Sequence, residues 1–270
     1  MITKKNRLVV IIFFKNGNVV QSKLFKQHKV VGDPYLIMDR LSAWNADEVI
    51  YLNIRPELLN LNRQDKNMKY QSDFDKIIQF VGKKAFMPLT VGGGIKNLND
   101  IERYFKMGAD KISINSEIVK NPKLIYESSK IYGSQSIVAS IDVKIEISTK
   151  KYSAFIDNGK SKVVINLREY IKQIEDLGAG ELLINNIDRD GMGNGYDLNL
   201  IKLIQDTSRL PIIFAGGVGN FNHFSEGIKS DLNAVAAGNI FHYTENSYFE
   251  AIKFLYENNC NTRAPVINFL

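Results

Sequence analysis

The chain has 270 residues, of which 44% are hydrophobic, a formal net charge of +6 and one cysteine. These numbers suit one large α/β domain or two small ones, and the single cysteine excludes a disulfide within the chain and favours a reducing cytoplasm. No apolar run approaches the ~20 residues that span a bilayer. We also expect no nucleic acid, metal or cofactor, since no basic patch interleaved with aromatic residues and no metal-ligand spacing is present. The net charge fits either a mildly basic surface or a phosphorylated ligand.

Short β-branched runs alternate with longer amphipathic stretches along the chain. Asp33 before Pro34 is typical of an N-cap followed by the first helical residue, and Asp197 can cap the helix after the sixth strand. Eight such units predict a single (β/α)8 TIM barrel over residues 1–270, with an open, doubly wound sheet as the alternative. The predicted strands are residues 8–14, 48–53, 86–91, 111–115, 136–143, 181–186, 211–215 and 233–237, and the predicted helices are residues 34–45, 72–83, 97–107, 122–133, 166–178, 198–208, 220–229 and 246–258.

An internal repeat favours the barrel over the open sheet. The segment TVGGGIKNLN, which begins at Thr90, aligns without a gap with IFAGGVGNFN, which begins at Ile213. The first predicted strand likewise matches the fifth, so that Phe13 corresponds to Asp142. A half-barrel of four units, duplicated and closed on itself, explains this two-fold pattern.

One connection is too long and polar for an ordinary loop. In residues 145–165, the dipeptide Asn158-Gly159 stands between two β-prone runs, 152–156 and 162–165. Asn-Gly is a strong hairpin signal, so we predict a β-hairpin insertion over the top of the barrel.

Glycines and amides cluster where predicted strands end, which is the end of a barrel where active sites lie. Glycine lets backbone N–H groups approach a phosphate closely, and the repeat places one such cluster in each half. Two phosphates on one long ligand would fit; the alternative is that the glycines only turn strands into helices. The residues of these clusters are Gly93, Gly94, Asn115, Gly216, Gly217, Gly238 and Asn239.

Three acidic residues fall at the same end. Asp142 lies on an otherwise apolar strand, where a carboxylate is costly unless it has a partner or a function. We therefore predict that Asp142 is a general acid or base. Asp190 is a second catalytic candidate, although it and Asp188 could be turn and capping residues only.

Four charged residues begin predicted strands at the opposite end: Arg7, Glu48, Lys111 and Glu181. If their side chains point inward, two cations and two anions form a ring at the bottom of the barrel. The ring is either a neutral ion-pair plug or a gate over a central passage, and the sequence alone leaves both readings open.

The chain resembles the cyclase subunit of imidazole glycerol phosphate synthase. The similar segments begin at Leu89 (LTVGGGI), Gly108 (GADKISIN), Gly178 (GAGELL) and Asn186 (NIDRDG), and the resemblance covers nearly the whole chain. It implies a glutaminase partner on the bottom face and ammonia that passes a charged gate, formed by the four residues above, to a bis-phosphorylated ribulosyl ligand. It also implies phosphate contacts from Gly94, Asn115, Gly191, Gly217 and Asn239. A partner must supply the ammonia, because Cys260 is the only cysteine and lacks the sequence context of a nucleophile.

The sequence departs from the family pattern at three positions. Phe13 stands where the family has its second catalytic aspartate, Gln21 matches a lysine of a mobile loop, and Asn53 replaces an aspartate. Phenylalanine cannot transfer a proton, and loss of one acid/base group costs ~10²–10⁴-fold in rate.

Three hypotheses follow. The chain is a cyclase (lyase) of histidine biosynthesis in which another group replaces the acid; or it is a divergent paralogue that passes ammonia to a sugar amidotransferase of bacterial surface-polysaccharide synthesis; or it is a non-catalytic scaffold that activates the glutaminase. A related isomerase barrel is disfavoured, because that enzyme also needs an aspartate at the position of Phe13.

Overall fold

The computed structural model describes residues 5–54 and 73–266. Eight parallel strands pair side by side and close into a ring, because the last strand pairs with the first and the fifth pairs with the sixth. The predicted (β/α)8 barrel is thereby confirmed, and the open sheet is excluded. The ring strands are β1 (Arg7–Lys15), β4 (Glu48–Asn53), β5 (Leu89–Gly92), β6 (Lys111–Ile114), β7 (Ile137–Ile145), β10 (Glu181–Asn186), β11 (Ile212–Ala215) and β12 (Ala234–Ala237).

Helices follow the ring strands and pack outside them. They are α1 (Pro34–Ala43), α2 (Asp73–Lys84), α3 (Leu98–Lys106), α4 (Glu117–Lys120), α5 (Lys123–Tyr132), α6 (Leu167–Asp176), α7 (Leu198–Gln205), α8 (Phe221–Lys229) and α9 (Ser247–Glu257). Both predicted caps are present: the side chain of Asp33 accepts from the backbone of Tyr35 and Leu36, and that of Asp197 accepts from Leu200. Within the described ranges, no helix combines the length and apolar character needed to cross a membrane.

Several predicted boundaries were wrong. The third strand starts at Leu89 rather than at Phe86, whose side chain is 94% exposed. The fifth strand runs on to Ile145, because its end pairs with another strand instead of turning. The short helix α4 was missed, and the first residue of the predicted helix 72–83 lies outside the described residues, as do parts of the predicted single domain 1–270.

Side chains of the ring strands alternate between two cores. On β1, Leu8, Val10 and Ile12 pack outward with the helices, while Val9 and Ile11 join a second cluster made only of strand residues. Period-two alternation with both faces buried explains why these strands are nearly continuous in apolar residues. The inner cluster is the filled interior of the barrel, as in other barrels of eight strands.

Two antiparallel hairpins extend the ring at its top. The first, β2 (Asn18–Lys23) and β3 (Gln27–Gly32), continues from β1 and was missed by the sequence analysis. Asn16 and Gly17, which join β1 to β2, both have positive φ, 50° and 82°, as a two-residue type I′ turn requires. The second, β8 (Tyr152–Ile156) and β9 (Ser161–Lys162), continues from β7 and turns near Asn158.

The two halves of the barrel are built alike. The N-caps of α3 and α8, Asn97 and Asn220, have the same dihedrals, φ −154° and ψ 172°, and each accepts from the backbone three residues on. Gly93 and Gly216, at the ends of β5 and β11, both have positive φ and lie against the backbone of the neighbouring strand. The repeat read from the sequence therefore has a structural counterpart.

Candidate functional site

Four charged side chains meet in a closed ring at the bottom of the barrel. Arg7 contacts Glu48 and Glu181, and the Nζ atom of Lys111 lies 3.0 Å from Glu48 Oε1 and 2.8 Å from Glu181 Oε2. Thr90 adds a hydrogen bond of 3.1 Å to Glu48. Each cation therefore bridges both anions, and the formal charge of the ring is zero.

The ring is largely removed from water. The side chains of Glu48 and Glu181 are 1% and 7% exposed, against 20% and 18% for Arg7 and Lys111. Burial alone raises the pKa of Glu181, but Arg7 and Lys111 outweigh it and hold that pKa below its ordinary value. Burial lowers the pKa of Arg7, and the two carboxylates more than offset this. Arg7 and Glu181 are therefore both charged at neutral pH.

Above the ring the barrel interior is apolar. Arg7, Glu48 and Glu181 each stand two positions before a member of the inner cluster, and Lys111 stands two positions before Ser113, so ring and interior share one face of the strands. The inward-facing side chains are smallest on β12, where Ala234 and Ala236 stand in place of the larger aliphatic residues of most other strands. Its buried members are Val9, Ile11, Ile50, Val138, Leu183, Ile213, Ala215, Ala234 and Ala236.

Asp142 lies where the interior opens at the top. It is 6% exposed, and its carboxylate accepts hydrogen bonds from Asn115 (3.0 Å) and Asn185 (2.9 Å). Burial raises the pKa of Asp142 to about 6, and the two amide donors oppose that rise. A carboxyl group near this pKa can exchange a proton at neutral pH.

Asn185 is a site residue that the sequence analysis missed. It stands directly opposite Asp142 on the adjacent strand β10 and also donates to the Ser140 hydroxyl, at 3.1 Å. Asn115, predicted to contact phosphate, lines the larger cavity and donates to Asp142 and to the Ser140 carbonyl, at 3.1 Å. Aligning the fifth and sixth predicted strands as ring neighbours would have revealed the Asn185 contact.

Asp190 holds the β2–β3 hairpin over the top of the barrel, which is the mouth of the site, through two hydrogen bonds. Its carboxylate accepts from the Ser22 hydroxyl at 2.6 Å and from the Phe25 backbone at 3.1 Å, and burial raises its pKa against both donors. Asp188 accepts from the backbone of Ile145 at 2.7 Å and thus holds the end of β7. In this structure both aspartates bind backbone or hydroxyl groups of the loops around the site.

The two glycine clusters border spaces of different size. A cavity of about 340 Å³ lies beside Gly93, Gly94 and Asn115, and Asp142 also lines it. The second cluster surrounds only about 30 Å³; its members are Gly191, Gly216, Gly217, Gly238 and Asn239. The structure thus places one cluster beside a large cavity and the other beside a much smaller one.

Phe13 lies in the mouth beside both spaces. The repeat equates it with Asp142, and both residues stand where a ring strand continues into a hairpin. Gln21 contacts the Asn239 carbonyl at 3.4 Å, and Asn53 lines the larger cavity. Asp142 is therefore the acid that faces the larger cavity from the ring strands. Across the ranges 5–54 and 73–266, His, Cys, Asp and Glu side chains form no cluster of three that could hold a metal ion.

The fold and the site together define a (β/α)8 barrel with a buried acid and glycine-rich turns at the carboxyl ends of its strands, where barrel enzymes place their chemistry. A family model described as "Histidine biosynthesis protein" matches residues 7–247. The chain therefore belongs to this family. The relatives to which it is similar are HisF subunits.

Three relatives illustrate the likeness. The imidazole glycerol phosphate synthase subunit HisF of Petrotoga mobilis is 35% identical over 243 residues, which are 90% of this chain and 92% of the relative. The HisF subunit of a Hydrogenobaculum species is 36% identical over 258 residues, 95% and 98% of the two chains. That of Clostridium botulinum strain Okra is 35% identical over 264 residues, 97% and 100%.

Proposed function

We propose that this chain is the barrel subunit of a glutamine-dependent synthase of the imidazole glycerol phosphate synthase type, and that it receives ammonia through its bottom face. The observation that carries the proposal is the closed, neutral ring of Arg7, Glu48, Lys111 and Glu181, which lies directly below an apolar interior that leads to Asp142.

The interior selects neutral ammonia over ammonium. Moving an ion into an apolar interior is far more costly than moving a small neutral molecule, so ammonium cannot follow the same path. Arg7 and Lys111 each contact both carboxylates. When one cation swings aside, the other still neutralises Glu48 and Glu181 in part, which lowers the cost of opening. Passage then requires small movements of the packed interior side chains.

A partner glutaminase is proposed as the ammonia source. Cys260 is buried beside the Ser225 hydroxyl, at 3.4 Å, and lies away from both mouth cavities. Phe86, which is almost wholly exposed, precedes β5 at the end of the barrel that carries the ring. An exposed aromatic side chain at that end suits a docking surface. The single, unpaired Cys260 also supports a cytoplasmic setting.

Asp142 is the proposed general acid or base at the mouth. The resemblance would place one phosphate of a ribulosyl ligand at Gly93, Gly94 and Asn115, and a second at the cluster that includes Gly217 and Asn239. With Phe13 in place of a second acid, we expect imidazole-ring formation to be slower than in a two-acid site by ~10²–10⁴-fold.

Phe13 also favours a second candidate function. A subunit that keeps the ring and the apolar interior but has one acid at the mouth is suited to passing ammonia on. For that case, the acceptor that we propose is a sugar amidotransferase of surface-polysaccharide synthesis.

The test mixes the purified chain with a HisH-type glutaminase, glutamine and the ribulosyl bisphosphate substrate. We expect glutamine hydrolysis to rise on mixing and imidazole product to form slowly or not at all. Phe13→Asp should raise product formation by about tenfold or more, since it restores the second acid. The matched control is Phe13→Asp with Asp142→Asn, which should lose the gain.

Other outcomes select between the candidates. Full cyclase turnover by the unaltered chain would reject the one-acid interpretation. If the glutaminase is activated but every variant releases all ammonia to solvent, the chain is a scaffold. If the glutaminase neither binds nor responds, ammonia transfer itself is rejected.

A further inference from the structure

His28 is a titratable side chain at the mouth, apart from the acid and the glycine clusters. It lies on β3, the second strand of the hairpin that continues from β1, and it lines the same cavity as Asp142. Phe13, which also lines this cavity, lies on β1 itself. The part of the barrel that has phenylalanine in place of an acid therefore brings an imidazole group to the mouth through its hairpin.

Lys15 fixes the orientation of the hydrogen on that imidazole. The Nζ atom of Lys15 lies 3.1 Å from His28 Nδ1. An ammonium group can only donate, so Nδ1 accepts, and the single N–H of the neutral imidazole is on Nε2. Lys15 does not line the cavity whereas His28 does, so the imidazole stands between Lys15 and the space for a ligand. Within the described residues, Nε2 has no hydrogen-bond partner.

Burial and Lys15 both keep the imidazole neutral. Burial lowers the pKa of His28, and the positive charge of Lys15 lowers it further. Protonation would also place a hydrogen on Nδ1, which faces the ammonium group. His28 therefore offers an uncharged N–H donor, which suits a carbonyl oxygen, whereas cations are the better match for phosphate. Other titratable side chains on the lining of the cavity are Lys96, Glu117, Lys120, Asp142 and Asp157.

Polar side chains elsewhere on this lining have protein partners. Asn115 and Asn185 donate to Asp142 at 3.0 and 2.9 Å, and Lys120 pairs with Asp157 at 2.7 Å. These contacts hold the carboxylates in place and use the donors that make them. The Nε2–H group of His28 is by contrast available to a ligand.

We infer that His28 is a further catalytic residue of the mouth, whose Nε2–H polarises the keto oxygen of a ribulosyl ligand while ammonia adds to the keto carbon. The inference rests on the proposed function for the ligand and the ammonia. The nitrogen lone pair forms the C–N bond, the C=O π electrons move to the oxygen, and one proton leaves the nitrogen for the Asp142 carboxylate. The Nε2–H group stabilises the negative charge on that oxygen, as a neutral imidazole can. His28 thus compensates in part for the acid that is missing at Phe13.

The test is the infrared C=O stretch of the ribulosyl bisphosphate substrate, bound to the full chain without ammonia or glutaminase. Substrate with carbon-13 at the keto carbon identifies the band by difference. A polarised carbonyl has a weaker double bond, so we expect a lower frequency in the unaltered chain than in His28→Phe, which keeps an aromatic side chain but no N–H donor. His28→Gln keeps an N–H donor and should retain most of the shift. Gln27→Ala, an exposed neighbour on β3 outside the cavity lining, is the matched control and should change nothing.

NMR titration of the three histidines measures the protonation of the imidazole separately. The His28 signal is the one that His28→Phe removes. In the unaltered chain the His28 pKa should lie below the ordinary value of 6.5. Lys15→Met should raise this pKa, because it removes the positive charge that faces Nδ1.

Three results would overturn the inference: equal C=O frequencies in the unaltered chain and His28→Phe, a His28 pKa at or above 6.5, or substrate that does not bind the unaltered chain. Both measurements work without turnover and without a glutaminase. A glutaminase that responds on mixing while the C=O frequency does not depend on His28 rejects this inference alone. A glutaminase that does not respond rejects the proposed function, so the two failures are distinguishable.

Discussion

Asp142 is a buried carboxylate whose pKa of about 6 links its protonation to folding. Between pH 3.8 and about 6, the Asp142 carboxyl is protonated in the folded chain. In the unfolded chain it has the ordinary aspartate pKa of 3.8 and is ionised over this range. Asp142 therefore stabilises the fold most below about pH 4, and this contribution disappears as the pH rises through 6. Between pH 4.5 and 7 the loss is about 2 kcal/mol.

Urea unfolding of the unaltered chain and of Asp142→Asn, each at pH 4.5 and pH 7, measures this contribution. Subtracting one pH difference from the other cancels the titration of all other groups. We expect the free energy of unfolding to fall by about 2 kcal/mol more in the unaltered chain than in the variant. Equal falls in both would show that the Asp142 pKa is close to its unfolded value.

Single residues differed in how well the sequence could place them. The repeat equates Phe13 with Asp142, and period-two alternation puts both on the inner face of the ring. Period-two alternation also puts Asn185 on the inner face, two positions after Leu183, but does not show that it contacts Asp142. An asparagine near a strand end is ordinary turn composition, and Asn185 gains its meaning only from lying opposite Asp142 across β7 and β10.

At the scale of elements, local patterns predicted caps better than connections. Asp33 and Asp197 were placed by rules that need only a few neighbouring residues. The turn from β1 into β2 was missed, although Asn16-Gly17 is a turn signal of the same kind as the one found at Asn158. Phe86 was assigned to a strand on its β-propensity, which is a weak guide where the chain has not yet reached the sheet.

Helix α2 offers a test in which propensity and packing disagree. Alanine is about 1 kcal/mol better than glycine in a helix, so Gly82→Ala should stabilise by propensity alone. In the structure, however, a Cβ on Gly82 would lie 2.0 Å from the Met107 carbonyl oxygen and 3.0 Å from the Gly108 Cα atom. Backbone cannot move aside as cheaply as a flexible side chain, and overpacking costs about 1–3 kcal/mol.

We therefore expect Gly82→Ala to lower the free energy of unfolding by up to about 2 kcal/mol, the packing cost less the gain in propensity, measured by urea unfolding. Lys83→Ala, an exposed position next to it in the same helix, is the matched control and should cause no loss. A Gly82→Ala variant more stable than the unaltered chain would show that α2 does not approach the Met107-Gly108 turn this closely.

At the scale of the whole molecule, ring closure brings together charges that are far apart in sequence. Arg7 and Glu181 are separated by 174 positions and meet only because β1 and β10 belong to one closed barrel. The sequence predicted which four residues would do so, since each begins a strand on the inner face. It could not decide between plug and gate, because both functions use the same ion pairs.

The charge balance of the ring can be tested by removing one of its cations and then one of its anions. Lys111→Met leaves Glu48 and Glu181 with Arg7 as their one cation in the ring, and removing one partner of a buried ion pair costs about 3–5 kcal/mol. Because Arg7 still contacts both carboxylates, we expect a smaller loss, about 2–3 kcal/mol in the free energy of unfolding. Adding Glu181→Gln restores a balanced Arg7–Glu48 pair, so the double variant should be more stable than Lys111→Met alone.

Urea unfolding of the two single variants and the double variant gives the coupling between Lys111 and Glu181 directly. Lys106→Ala, which breaks an exposed pair with Glu102 on α3, is the control for loss of a lysine and should leave the free energy of unfolding unchanged. Strict additivity of the Lys111 and Glu181 changes would mean that the four charges act separately. In that case opening one contact would do nothing to the others, and the ring could not work as the single gate that we propose for ammonia entry.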